Sequence, residues 1–386
     1  LEQLEIYVPE FIESMKELAD TGCVEFLSET YAHSLASLED PDEFVAQVKD
    51  HDKKIFQLFG KHPVVFRNTE LIYDDDISAM VQNMGFKGVI TEGAKHILGW
   101  KSPNYVYSSP VAPKLKLLLK NSKLSDDISF RFSNPDWASY PLTADKYIDW
   151  IASLPEEEQL VNLFMNYETF GEMQPRESGI FEFMKALPRF AVEKGIEFFT
   201  PSEVISKMKS VGEMPVMHPI SWADEARDTS AWLGNTLQQE AVKKLYSIGE
   251  RVRLCQDRRI KQDWYYLQAS DHFFYMSTKH NEDGSVHSHY SPYDSPYTAF
   301  TNYMNVLSDF MIRVQEQYPE SIYNEELNAS LLAIRNQSNE ISQLNREVEM
   351  LRNNIVKDTT GDFPVDEPAL EEKPAKKAPS KKAATK

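Results

Sequence analysis

The chain has 386 residues, 41% hydrophobic and 12% aromatic, enough to bury a large core. Its formal net charge is −19, and six lysines without an acid in the last fourteen residues leave the remainder at 35 cationic against 60 acidic side chains. Such a body repels nucleic acid and anionic membranes but is indifferent to a neutral ligand.

Cys23 and Cys255 are the only cysteines, which argues against a disulfide framework or a cysteine-based zinc site and suits a reducing, cytoplasmic compartment. No apolar run approaches the length of about 18 residues that a transmembrane helix needs. The chain begins at Leu1 without a methionine, so it is expected to be a fragment or a trimmed product.

From the start to residue 208, short apolar runs alternate with helical patterns. VEFLSE (24–29) is strand-like, PDEFVAQVKDHDKKIFQLFG (41–60) helical, and PVVFRNTE (63–70) β-branched and then polar. DDDISAMVQNMG (74–85) opens on three acids, good N-terminal charges for a helix, and ends in glycine. KGVITEG (87–93) and DISFRFSN (127–134) read as strands, and ADKYIDWIASL (144–154) as a helix. QLVNLFMNYETFG (159–171) reads as a strand, GIFEFMKALPRFAVEKG (179–195) as a helix, and IEFFTPSEVISKM (196–208) as a strand feeding a Thr-Pro-Ser-Glu cap.

Repeated β-α units imply a parallel sheet with functional residues at the strands' C-terminal ends. Those ends carry Glu29 and His33, Asn68 and Glu70, Thr91 and Glu92, Arg131 and Ser133, and Asn166 and Glu168. A closed barrel would gather them. The open doubly wound alternative lacks a G-x-G-x-x-G or Walker-type loop.

Residues 209–318 change character and read as a helical bundle, with SWADEARDTSAWLGNTLQQEAVKKLYSIGERV as one long helix after a loop and further helices near 261–279 and 296–317. The loop DGSVHSHYSPYDSPY (283–297) holds His287 and His289 but no further positioned ligand, so no metal is assigned. Within 319–356, Leu327, Leu331, Ile334, Ile341, Leu344, Val348, Leu351 and Ile355 fall at three-four spacing. This segment is either a short coiled coil serving homo-oligomerisation or a helix folded back on its own body. Residues 357–386 form a Lys/Ala/Pro tail, expected to be disordered.

Five co-linear stretches carry a family likeness: EFLSETYAHSL, KGVITEGAKHILGWKSPNYVY, LSDDISFRFS, LFMNYETFGEMQ and SWADEARDTSAWLGN. Together, over about residues 1–310, they resemble glycoside hydrolase family 57 in its α-amylase-type subgroup. The resemblance implies an incomplete (β/α)7-type barrel followed by a helical bundle, acting on α-1,4-glucans or maltooligosaccharides with retention and without a cofactor. It also implies that the first barrel strand, with its His-Gln-Pro motif, is absent from this chain.

Retention needs two carboxyl groups about 5–5.5 Å apart. The resemblance makes Glu92 the nucleophile, and the residues agree, since Glu92 closes a β-branched strand and precedes a glycine. A helix-capping carboxylate is the alternative. The family's acid/base aspartate is here Asn166, an amide that can donate a hydrogen bond but cannot transfer a proton at neutral pH. Glu168, two residues on, faces the same side of a strand. Met173 departs from a histidine usual in the subgroup. Hydrolysis is therefore expected to be weak or lost, with a non-catalytic glucan-binding protein and an assembly protein as alternatives.

His33, in ETYAHS, stands where the family contacts substrate. His96 and Trp100 would flank the sugar or pack in the core. Trp222, Asp224, Asp228 and Trp232 form the fifth motif, with Trp232 either stacking on glucose or pinning the bundle to the barrel.

Overall fold

The computed structural model describes residues 1–279 and 291–317, together with the helical positions Gln337, Glu340, Ile341, Gln343, Leu344 and Val348. The chain divides into two units, Leu1–Tyr318 and Pro319–Lys386. In the second, Ile341, Leu344 and Val348 are exposed. The rest of the expected coiled coil, the tail and the 283–297 loop histidines lie outside the described residues.

The first unit opens with α1 (Glu2–Tyr7), α2 (Pro9–Asp20) and α3 (Ala36–Glu39). In α4 (Pro41–Phe59), Asp40 caps the Glu43 N–H at 3.1 Å, Pro41 fills the first turn, and Gly60 ends the helix at φ 65°. Its inward residues Phe44, Val48, Ile55 and Phe59 recur at helical spacing and are buried. Asp74 caps α5 (Asp75–Asn83) through the Ile77 N–H at 2.8 Å.

Four strands follow in chain order: β1 (Val65–Arg67), β2 (Gly88–Glu92), β3 (Val106–Ser108) and β4 (Lys116–Lys120). The sheet order is β1-β2-β4-β3, parallel except for the β3–β4 pair. Every residue of β2 is buried, as expected for a parallel strand covered on both faces. The short α6 (Lys95–Leu98) follows β2.

Several expectations are corrected. The stretch 127–134 is not a strand: α7 (Ser122–Ser129) runs into it, capped by Asn121 on the Leu124 N–H at 3.0 Å. Leu124 and Ile128, four residues apart within α7, are buried at helical spacing, and Phe132, in the turn beyond its end, is buried with them. The strand of this region is β4, whose LKLLLK pattern lies just upstream.

Segment 159–166 is extended but forms no ladder among the described residues. The outer edge of β4 is taken by β3 at Lys116–Leu118. The later segment reaches only β4's end, where Asn121 N–H donates to Asn162 O at 2.9 Å. Segment 24–29 lies beside β1 through a single parallel bridge, Ser28 to Phe66. Residues 196–199 are likewise irregular, although the capping box of Thr200 and Glu203 opens α10 (Pro201–Lys207) as expected. Glu25 accepts a 2.8 Å hydrogen bond from the Ser202 N–H at that helix start.

Between these lie α8 (Ala144–Ala152) and α9 (Ile180–Glu193). The single long helix expected over 221–252 is broken. Residues 221–229 form a loop with positive φ at Asp224 and Arg227. Then come α11 (Ser230–Leu233), α12 (Thr236–Tyr246) and α13 (Gly249–Leu254). Asn235 restarts the chain as a capping box with Gln238. Helices α14 (Arg258–Leu267), α15 (Ser270–Phe274) and α16 (Pro296–Gln317) complete the bundle. No helix among the described residues is long and apolar enough to cross a membrane.

Leu27, Val65, Ile90, Leu118, Leu160, Phe164, Phe199 and Trp222 share one cluster. Segments 24–29, 159–166 and 196–200 thus face the same core as β1, β2 and β4.

Candidate active site

β2 delivers Glu92 to its C-terminal end, in register with Lys120 on β4. The Glu92 side chain is fully sealed from solvent. Ser122 Oγ, at the start of α7, donates to Oε1. Oε2 is buried without a hydrogen-bond partner, and Lys120 Nζ stands 3.9 Å away. Lys120 itself bonds Asp126 Oδ1 at 3.1 Å, and Asp126 Oδ2 is 3.3 Å from Arg227 Nη2. Gly93 is required here for space: a Cβ at that position would sit 2.4 Å from the Lys120 carbonyl oxygen.

Trp222 stands across the tips of β1 and β4. Arg67 lies 5.1 Å and Lys120 5.3 Å from its ring centre, cation–π distances. Its indole N–H donates to Glu70 Oε2 at 2.5 Å, and Arg227 donates to its carbonyl oxygen. Glu70 Oε1 meets His33 Nε2 at 3.0 Å, and His33 Nδ1 lies 3.7 Å from Glu29 Oε2, which Arg67 also approaches at 3.3 Å. Burial opposes charge on His33, yet hydrogen bonds and attraction from Glu29 and Glu70 push it up to about 10. Burial likewise opposes charge on the partners, and His33 nevertheless holds Glu29 down at about 2 and Glu70 below the usual carboxylate range. All five non-glycine residues with positive φ among the described residues, His33, Glu70, Leu71, Asp224 and Arg227, belong to these segments.

A second constellation forms in the 221–230 loop. Lys279 Nζ bonds Asp224 Oδ2 at 2.9 Å and Ser230 Oγ at 2.5 Å, and Asp228 accepts from the Ser230 N–H at 2.9 Å. Burial works to raise Asp228, but the Ser230 donors, Lys279 and His96 hold it below the ordinary range.

The remaining sequence candidates divide. Asn166 and Glu168 are exposed around the 3-10 turn Tyr167–Thr169, and the Asn166 amide makes no capping bond. Their segment is laid along α7, with Phe164 N–H donating to Ser125 Oγ at 3.1 Å. Trp100 is 93% exposed, so the core alternative fails for it, and His96 is exposed as well. Trp232 is 2% exposed and lies in the main core, so it offers no face to a sugar and pins the bundle instead. The helical spacing assumed for Trp222, Asp224 and Asp228 is replaced by a loop held by side-chain bonds. Lys120, Ser122, Asp126, Arg67 and Arg227 were missed as site residues. A lysine closing the apolar run LKLLLK was the one readable sign among them. No group of three or more His, Cys, Asp or Glu side chains among the described residues is arranged to hold a metal ion.

A sequence profile described as "Glycosyl hydrolase family 57" matches residues 1–217. The chain belongs to glycosyl hydrolase family 57. A Methanocaldococcus jannaschii protein described as "Putative alpha-amylase" is 44% identical over 325 residues, 81% of this chain and 69% of that protein. Among solved structures, the family 57-type branching enzyme of Pyrococcus horikoshii matches with a TM-score of 0.58 at 16% identity, over 82% of this chain and 73% of that one. The 4-alpha-glucanotransferase of Thermococcus litoralis matches at 0.55 and 17% identity, over 71% and 48%. An alpha-amylase of Thermotoga maritima matches at 0.51 and 14%, over 81% and 72%. At these identities the likeness to the solved structures is one of fold. This family 57 chain thus shares with them an α/β architecture of a small sheet and many helices.

Proposed function

We propose that this family 57 protein is of the α-amylase type, acts on α-1,4-glucan by a retaining route with Glu92 as nucleophile, and cleaves weakly because Asn166 stands in the acid/base position. The observation that carries this reading is a buried carboxylate with one uncommitted oxygen at the end of β2. The 44% identity to the M. jannaschii protein supports the amylase assignment. In this reading segments 24–29, 159–166 and 196–200 complete an incomplete barrel with β1, β2 and β4. The protein works in a reducing compartment, consistent with Cys23 and Cys255 both being free.

Glu92 attacks the anomeric carbon. Asn166 donates a hydrogen bond to the glycosidic oxygen but no proton, so the leaving group departs as a poor alkoxide and cleavage is slowed about 10²–10⁴-fold. His33, Glu70, Trp222, Asp224, Asp228, His96, Trp100 and Glu168 line the glucan path. The sealed state of Glu92 favours one variant of this reading, a glucan-binding protein that no longer cuts.

Asn166→Asp in the full chain separates these. A rise of about 10² or more in reducing ends released from amylose supports the retaining assignment. No rise, but retained glucan binding, leaves the binder. Neither hydrolysis nor binding by either protein overturns the glucan assignment.

A further inference from the structure

We propose that Lys120 is the positioning residue of Glu92: its ammonium neutralises the sealed carboxylate and holds oxygen Oε2 in place, while Asp126 fixes the lysine in that seat. The proposal deepens the reading of Glu92 as nucleophile and rests on it for its catalytic consequence, though not for the existence of the pair.

Sealing a carboxylate away from water is unfavourable unless its charge is paired and its oxygens are bonded. Glu92 meets this condition only in part. Ser122 satisfies Oε1, while Oε2 has no donor within hydrogen-bond distance and faces one cation, Lys120 Nζ, at 3.9 Å. That separation is too long for a hydrogen bond but well within electrostatic reach. The lysine side chain is 5% exposed, so its field is little screened by solvent.

The placement is built into the backbone. Glu92 and Lys120 are register partners on adjacent parallel strands, and Gly93 lets the next peptide pass close to the Lys120 carbonyl. Asp126 Oδ1 accepts a hydrogen bond from Lys120 Nζ at 3.1 Å, so that the ammonium stands between two carboxylates, and Arg227 holds the far oxygen of Asp126. Lys120 therefore compensates the charge of Oε2 without a direct hydrogen bond, so that a substrate carbon admitted to the sealed site would meet an uncommitted oxygen.

The test is a thermal-unfolding cycle in the full chain with Lys120→Met, Glu92→Gln and the double variant, plus Lys120→Arg. Lys120→Met strands a buried carboxylate and should lower Tm by about 5–10 °C. Glu92→Gln in that background should restore at least half of the loss, and Lys120→Arg should lose less. Additive losses would mean that Lys120 serves Asp126 alone, and would overturn the proposal. In parallel, α-glucosyl fluoride, whose leaving group needs no proton, reports glycosyl-enzyme formation by intact-protein mass. Lys120→Met should slow it about 10–100-fold with glucan affinity unchanged, and Lys120→Arg should recover part. A fall in glucan affinity with no change in that rate counts against positioning. A wild-type protein that forms no adduct overturns the nucleophile reading, while the thermal cycle still decides whether the pair exists.

Discussion

Replacing His33 by glutamine removes a positive charge that two carboxylates share, and the loss should depend on pH in a defined way. His33 contacts Glu70 at 3.0 Å and Glu29 at 3.7 Å. Against burial, these partners raise it from 6.5 to about 10, and Glu29 falls from 4.5 to about 2. Unscreened, the His33 displacement would correspond to about 5 kcal/mol. The side chain is 34% exposed, so solvent screening reduces this to about 1–2 kcal/mol. A raised histidine stabilises fully below its unfolded value of 6.5 and loses that contribution as pH climbs through about 10. A depressed glutamate stabilises above 4.5 and loses its contribution as pH falls through about 2. The Tm difference between wild type and His33→Gln should therefore peak between pH 4.5 and 6.5, at about 2–5 °C, and shrink on both sides. Differential scanning fluorimetry across buffers at constant ionic strength measures it. A difference that stays flat from about pH 5 to 9 would refute the assignment of a charged His33 between two carboxylates.

Gly93→Ala would place a methyl 2.4 Å from the Lys120 carbonyl oxygen and 3.1 Å from Pro103 Cβ, neither of which is a flexible side-chain end. It should cost about 1–3 kcal/mol in chemical denaturation. Trp232→Ala empties a site in the main core and should cost about 3–5 kcal/mol; a loss near zero would return Trp232 to the surface. Trp100→Ala, at an exposed position, should leave stability within about 0.5 kcal/mol. Retardation in amylose-containing gels then decides whether Trp100 lies on the glucan path. A weaker retardation places it there, and an unchanged one removes it.

The elements most legible in the sequence were those with local capping chemistry. The Thr-Pro-Ser-Glu cap, the three acids at 74–76 and the helical spacing of 41–60 announced three helices, and Thr200, Asp74 and Asp40 each accept a backbone N–H at their starts. The strands were less legible because their pairing is decided by distant residues. Nothing near 159–166 records that β3 already occupies the edge of β4. At 127–134, alternating Ile and Phe mimicked a strand, while the Asn121 cap and the burial of Leu124 and Ile128 four residues apart go with a helix that ends at Ser129. The 221–252 stretch has helix-forming composition, but Arg227 bonds the Trp222 carbonyl and Asp228 bonds Ser230, diverting the backbone before α11.

The candidate site was legible where one residue stood in a recognisable stretch and illegible where its surroundings depend on pairing across strands. Glu92 and His33 stood in recognisable stretches, whereas Lys120 acquires meaning only from its register with Glu92. That pairing bears on whether the site has lapsed into scaffold. Non-glycine residues at positive φ carry strain of about 1–3 kcal/mol each, and a sealed, half-satisfied carboxylate adds a further cost. Among the described residues that strain falls at His33, Glu70, Leu71, Asp224 and Arg227, in the segments around Trp222. A protein stabilised by only about 5–15 kcal/mol gains nothing structural from concentrating such costs in one place. They fit a site still shaped for a ligand, and Asn166, which the proposed function puts in the acid/base position, lies on an exposed turn where changing it to aspartate disturbs no packing. Restoring that carboxyl therefore tests the chemistry without first perturbing the fold.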